Sequence, residues 1–229
     1  MSIEERISFV KEVIDKTCKK IGKTSSDITL MAVTKKVEPI YINRAIDAGI
    51  NVIGENRVQE AREKFEKVKK GVKWHMIGPL QVNKVKYAIH IFDMIQSLES
   101  IKLADEIEKR ASALDKIVQV LVEVKVSFEE TKHGIMPQEI ISFLETISTY
   151  KHIKVKGLMT MAPFFEDKEK TRPYFRKAKE LFDKIKVMKI PNIDMEILSM
   201  GMSNDFDVAI EEGSNFVRIG RAIFEDIYK

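Results

Sequence analysis

The chain has 229 residues, 44% of them hydrophobic and 32% charged, with a formal net charge of only +4. That length allows one large α/β barrel or two small domains, with an ample core. Acids and bases are interleaved without a basic block, no apolar stretch approaches the length of a bilayer span, and Cys18 is the only cysteine; nucleic-acid binding, membrane insertion and an internal disulfide are therefore set aside.

The N-terminus, Met1-Ser2-Ile3-Glu4-Glu5-Arg6, opens an amphipathic segment without the shape of a signal peptide, so the cytoplasm is the expected location. Apolar residues at Ile3, Ile7, Val10, Val13, Ile14 and Ile21 predict a helix over 2–22, stopped by Gly22. From there strands and helices alternate. The predicted strands are 28–34, 50–53, 73–77, 91–95, 117–124, 153–158, 194–198 and 215–219. Helices are predicted between them at 39–48, 56–69, 81–88, 100–113, 137–147, 168–187 and 205–212, and a last short one starts near Arg221. This count predicts an α/β protein, a single (β/α)8 TIM-type barrel domain over 1–229 with an extra N-terminal helix. An open doubly wound sheet is the alternative, but it would carry glycines after the first strand, where this chain reads Lys35-Lys36-Val37-Glu38-Pro39.

In a barrel the active face is built from the C-terminal ends of the strands. The first strand, Leu30-Met31-Ala32-Val33-Thr34, runs into Lys35, whose amine is a candidate nucleophile for an aldehyde. Taken alone, Lys35 is also one of 39 Lys and Arg residues that mostly face water. Gly54-Glu55-Asn56 follows the second strand, Trp74-His75-Met76 lies in the third, and Gln96 and Ser97 follow the fourth. Met159-Thr160-Met161 follows the sixth, Ser199-Met200-Gly201-Met202-Ser203-Asn204 the seventh, and Arg218 and Gly220-Arg221 close the eighth.

The last two loops place glycine and small polar groups before a helix, the setting in which backbone amides bind phosphate. Ser203 is expected to cap the helix that begins near Asp205. The plainer reading is that Gly201 and Gly220 are turn glycines and Ser203 only a cap. Alternation puts Arg218 opposite Val217 and Ile219, hence into the barrel mouth, where it meets either an acid such as Glu196 or Glu123 or a ligand's ring nitrogen or anion. His75, in an apolar strand, reads as a hydrogen-bonded structural histidine rather than a base. Metal-ligand spacing, a nucleophile elbow and a Walker lysine are all absent from the sequence. An amine, a phosphate cradle and an inward arginine are together what pyridoxal phosphate requires. An arginine at the pyridine nitrogen would hold that nitrogen unprotonated.

These residues resemble those of the pyridoxal phosphate homeostasis proteins, which share the barrel of the N-terminal domain of alanine racemase. The resemblance runs over about residues 28–224 and rests on Ala32-Val33-Thr34-Lys35, Gly54-Glu55-Asn56-Arg57-Val58-Gln59-Glu60, Trp74 to Lys84, Lys132-His133-Gly134, Gly157-Leu158-Met159-Thr160-Met161, Leu198 to Asp205 and Val217-Arg218-Ile219-Gly220. It implies a fold-type III barrel in which Lys35 carries pyridoxal 5'-phosphate as a Schiff base and Asn56 lies beside it. Ser203, Gly220 and the backbone of Arg221 would hold the phosphate and Arg218 would face the pyridine nitrogen, with Met159 and Ser199 completing the candidate set. The implied role is a carrier that keeps the free aldehyde low, without established turnover, with apoenzymes as candidate recipients and a monomer as the expected state. The alternatives are a racemase-like enzyme of the same fold type, and a phosphometabolite barrel in which Lys35 is incidental. A second β domain, of the kind that completes the racemase site, is not expected here. The chain departs from the family at Arg57, usually tyrosine; Gln96, usually histidine; Lys125, usually asparagine; and Arg221, usually a small hydroxyl residue.

Overall fold

A computed structural model describes residues 1–127 and 133–225; Lys132 of the Lys132-His133-Gly134 segment lies outside them. The chain opens with α1 (Ile3–Lys20), started by a capping box in which the Ser2 hydroxyl accepts from Glu5 N at 3.2 Å and the Glu5 carboxylate accepts from Ser2 N at 2.7 Å. Ile3, Ile7, Val10, Ile14 and Cys18 form its buried stripe.

Strands and helices then alternate: β1 (Thr29–Val33), α2 (Pro39–Asp47), β2 (Val52–Glu55), α3 (Val58–Phe65), β3 (Lys73–Met76), α4 (Val85–Ile91), β4 (Met94–Leu98), α5 (Ile101–Ser112), β5 (Val118–Glu123), α6 (Ile140–Ile147), β6 (Ile153–Met159), α7 (Arg172–Met188), β7 (Ile193–Ser199), α8 (Phe206–Glu211), β8 (Phe216–Ile219) and α9 (Arg221–Phe224). The eight parallel strands close in sequence order, β8 returning to β1 with Leu30 opposite Val217 and Ala32 opposite Ile219. The (β/α)8 barrel with an added N-terminal helix is thus the observed fold. α1 packs on α2, α8 and α9, covering the place where the first and last units meet.

Both strand faces are apolar, as a fully covered parallel sheet requires. Ala32, Ile53, Trp74, Met76, Ile95, Val120, Val217 and Ile219 pack outward against the helices. Met31, Val33, Val52 and Phe216 fill one part of the barrel interior, and Met94, Leu121 and Met159 another. Each fully buried Leu, Ile, Met or Phe contributes about 1.5–3 kcal/mol.

The boundaries shift where a short apolar run fits either element. The fourth strand, expected at 91–95, lies at Met94–Leu98, because Ile89 and Ile91 serve the last turn of α4 and Phe92 closes it. The expected helices at 81–88 and 168–187 begin instead as 3-10 turns at Val82–Lys84 and Lys168–Thr171. The expected helix at 56–69 is shorter, Val58–Phe65.

Candidate functional site

Above the apolar interior, side chains at the C-terminal ends of the strands form a polar chain across the barrel. Arg218 on β8 is buried, at 4% exposure, and its Nη1 donates to Ser199 Oγ on β7 at 2.9 Å. Ser199 Oγ donates to Gln96 Oε1 on β4 at 2.7 Å, and Gln96 Nε2 lies 2.9 Å from His75 Nδ1 on β3. Each member sits on the inner face of its strand by period-two alternation. With the Gln96 amide turned this way, His75 Nδ1 accepts, and the ring is neutral. His75 also stacks on Phe216 with ring centroids 5.5 Å apart, and its burial pushes the pKa down to about 3. It is a structural histidine, as expected from its apolar strand. Gln96 is the bridge of the chain; nothing local in the sequence marks it as such, because its two partners come from other strands.

The second guanidinium bond goes from Arg218 Nη2 to Thr160 O at 2.8 Å. Of the two acids considered as partners, Glu196 is taken by Lys156 at 2.7 Å. Glu123 is buried and its attraction to Arg218 acts at a distance; burial, with Glu99 adding, pushes its carboxyl up to about 7. Burial also lowers Arg218 itself to about 10, opposed by Glu123 and Asp205, so the guanidinium keeps its charge at neutral pH.

A cavity of about 610 Å³ opens over this chain. Its walls include Lys35, Asn56, Arg57, Ser203, Arg218, Gly220 and Arg221, together with Lys36, Phe164, Phe165 and Asn204. Six of the eight candidate residues therefore meet on one wall. Met159 and Ser199 do not: Met159 packs below with Met94 and Leu121, and Ser199 acts by accepting from Arg218. Lys35 is exposed, in a turn just past β1, with its side chain reachable from solvent. Arg57 and Arg221 line this cavity and are exposed. Lys125 instead lines a separate cavity of about 400 Å³ beside Pro137 and Lys177.

Two loops are held by close backbone packing. Gly201 has φ +94, and a Cβ there would lie 2.6 Å from Ala209 Cβ, so this glycine is required by packing on α8. Gly78 passes so close to Asn56 that a Cβ would lie 2.4 Å from Asn56 O, which fixes the loop carrying Asn56. Ser203 differs from expectation. It does not cap α8, whose N-cap is Asp205; its Oγ accepts from Ala222 N at 3.2 Å and so serves the first turn of α9. The reason is that the Asp205 carboxylate turns back to accept from Met202 N at 2.7 Å, closing the 202–205 turn and leaving Ser203 facing β8's exit. Burial raises the Asp205 carboxyl, with the Met202 N–H opposing.

The arrangement can receive an anion and offer it an amine. Lys35, Lys36, Arg57, Arg218 and Arg221 bring five cations to the cavity wall against Glu60 and Asp205. Among the described residues no group of three or more His, Cys, Asp or Glu side chains could hold a metal ion, and no helix is long and apolar enough to cross a membrane.

Comparison with known proteins extends the description. Residues 12–227 match the alanine racemase N-terminal domain family. The pyridoxal phosphate homeostasis protein of Aquifex aeolicus is 44% identical over 225 residues, covering 98% of each chain. PipY of Synechococcus elongatus, solved with pyridoxal phosphate bound, superposes with a TM-score of 0.85 at 29% identity, over 97% of this chain and all of that one (100%). An alanine racemase of Clostridium difficile shares the fold, with a TM-score of 0.74 at 17% identity, over 93% of this chain and 58% of its own. The barrel, its order of strands and a likeness that runs the length of both chains make this protein a member of the pyridoxal phosphate homeostasis protein family.

Proposed function

We propose that this protein binds pyridoxal 5'-phosphate in the cavity at the barrel mouth and serves its homeostasis, holding the cofactor on Lys35 and releasing it. The observation that carries this reading is the meeting, on one cavity wall, of an accessible lysine with Ser203, Gly220, Arg221 and the buried Arg218. The residues fit the group: the cation excess suits a phosphate dianion, and about 610 Å³ exceeds what a single substituted pyridine ring needs. Pyridoxal phosphate brings an aldehyde that condenses with a primary amine, with loss of water, and a ring that absorbs visible light.

Each residue has a part that follows from its place. Lys35 supplies the amine from the rim. Ser203 stands where β7's loop meets the first turn of α9 and, with Gly220 and Arg221, faces the phosphate. Arg218 is protonated and can only donate, so a ring nitrogen facing it stays without a proton. Its orientation is set by Ser199 and the Thr160 carbonyl, so Ser199 contributes through Arg218. Asn56 lines the same cavity, its loop fixed by Gly78. Lys35, Arg57 and Arg221 are all exposed, which suits a site that exchanges its ligand with solution. The same reading takes the protein as a cytoplasmic monomer that yields the cofactor to apoenzymes.

The test is optical and chemical. Protein incubated with pyridoxal phosphate and freed of excess ligand is expected to be yellow, and borohydride reduction is expected to leave a phosphopyridoxyl group on the Lys35 peptide. Lys35→Ala should lose both signals. A colourless wild-type protein, or a Lys35→Ala variant that keeps the full visible band, would overturn the assignment.

A further inference from the structure

Lys35 sits at the second position of a tight turn, Thr34 to Val37, closed by Val37 N donating to Thr34 O at 3.0 Å. The third residue, Lys36, has φ 60, a left-handed conformation that L residues other than glycine and asparagine seldom adopt. A lysine there sets its Cβ against the following carbonyl, so something must hold the turn. What holds it is an ion pair on α3 whose lysine is buried and whose glutamate is half-buried. Lys64 is 7% exposed, and its Nζ donates to Thr34 O at 2.7 Å, to Glu55 Oε1 at 2.9 Å and to Glu60 Oε1 at 2.6 Å, which uses all three of its donors. Glu60 Oε1 in turn accepts from the backbone N–H of Lys36. Thr34 Oγ1 donates to Glu55 Oε1 at 2.7 Å and fastens the end of β1 to β2. The two peptide groups that flank Lys35 are therefore both bonded to the same pair, the carbonyl before it to Lys64 and the amide after it to Glu60.

We propose that the Lys64–Glu60 pair is a positioning device for Lys35, holding the turn from which its amine reaches the cavity. This rests on the reading that Lys35 is the attachment point. Burying the Lys64 ammonium with Glu55 is a poor choice for stability alone, since apolar residues of the same volume usually serve as well or better. Here the network even leaves Glu55 Oε2 buried without a hydrogen-bond partner among the described residues. What the pair does, and apolar residues could not do, is bind an amide and a carbonyl on either side of one lysine. Glu60 is four residues before Lys64, so both lie on the same face of α3, which points at the β1 turn.

The test separates a placed amine from a merely intact pocket. Pyridoxine 5'-phosphate has the ring and the phosphate but a hydroxymethyl group in place of the aldehyde, so it does not use the Lys35 amine. Affinities of both ligands are measured by titration calorimetry for wild type, Glu60→Ala and Glu60→Gln, with melting temperatures to check the fold. Glu60→Ala is expected to weaken pyridoxal phosphate about tenfold and pyridoxine phosphate less than about twofold, on the scale of one charge-assisted hydrogen bond. Glu60→Gln keeps an acceptor for the Lys36 amide and should recover most of the loss. Should Glu60→Ala fail to fold, Lys64→Met combined with Glu55→Gln removes the cation and neutralises the fully buried carboxylate, leaves Glu60 half-buried, frees the Thr34 carbonyl from Lys64, and is read in the same way. Equal weakening of both ligands, or unchanged affinity for pyridoxal phosphate, overturns the positioning role. A wild-type protein that binds the two ligands alike and gains no borohydride label on Lys35 overturns the attachment reading, and this inference with it.

Discussion

His75 gives the folded protein a calculable sensitivity to acid. The ring is 4% exposed, bonded to Gln96 and stacked on Phe216, and burial lowers its pKa to about 3. In the unfolded chain a histidine titrates near about 6.5. Below that pH the unfolded chain takes up a proton that the folded chain refuses, so the contribution is present at neutral pH and is lost as pH falls through the unfolded value. The loss is about 1.4 kcal/mol at a pH one unit below that value, and grows by about the same again with the next unit. Glu123 acts with the opposite sign: its carboxyl is pushed up to about 7, so the folded chain binds a proton first and gains stability as pH falls from there toward the usual carboxylate range. The two effects nearly offset in the wild-type curve, which is why the measurement is a difference. Urea unfolding of wild type and His75→Gln is compared between about pH 7.5 and pH 5.5, glutamine retaining a partner for Gln96. The stability gap between them is expected to narrow by about 1.4 kcal/mol over that span. A gap that stays constant would show that His75 is already able to protonate in the folded barrel, and the account of the polar chain would be wrong.

Two substitutions probe the parts of the site that come from packing. Arg218→Met removes the bonds to Ser199 and the Thr160 carbonyl and leaves Glu123 and Asp205 without their nearest buried cation. A stability loss of about 2–4 kcal/mol by urea unfolding is expected, and one below about 0.5 kcal/mol would refute the view that the guanidinium ties the barrel mouth together. Gly78→Ala puts a Cβ 2.4 Å from Asn56 O and 2.8 Å from Asn56 Cα, both backbone atoms that cannot swing aside. It should lower the melting temperature, at about 1–3 kcal/mol, and weaken binding of pyridoxal phosphate; a variant with wild-type melting and affinity would show that the Asn56 loop yields freely.

The local patterns were readable without the fold. The stripe from Ile3 to Ile14 announces α1, and eight apolar runs separated by amphipathic stretches announce the barrel. Alternation along Phe216 to Ile219 aimed Arg218 inward, where it is found. These are periodicities of two and 3.6 residues, written into neighbouring positions, and hydrophobic burial reads them directly. The position of β4 was not readable in the same way, because Ile89, Ile91, Met94 and Ile95 satisfy either element until packing chooses.

The site divides along the same line. Chain position alone put Lys35, Ser203, Arg218 and Gly220 at the ends of strands, and the motifs named the family. Tertiary structure alone decided that Ser203 serves α9 rather than α8, that Gln96 links His75 to Ser199, that Ser199 works through Arg218, and that Lys64 and Glu60 grip the turn around Lys35. Those partners lie from 19 to 103 residues apart. They meet because barrel closure brings eight strand ends to one mouth, and a directional hydrogen bond depends on that arrival, whereas the burial of an apolar side chain does not.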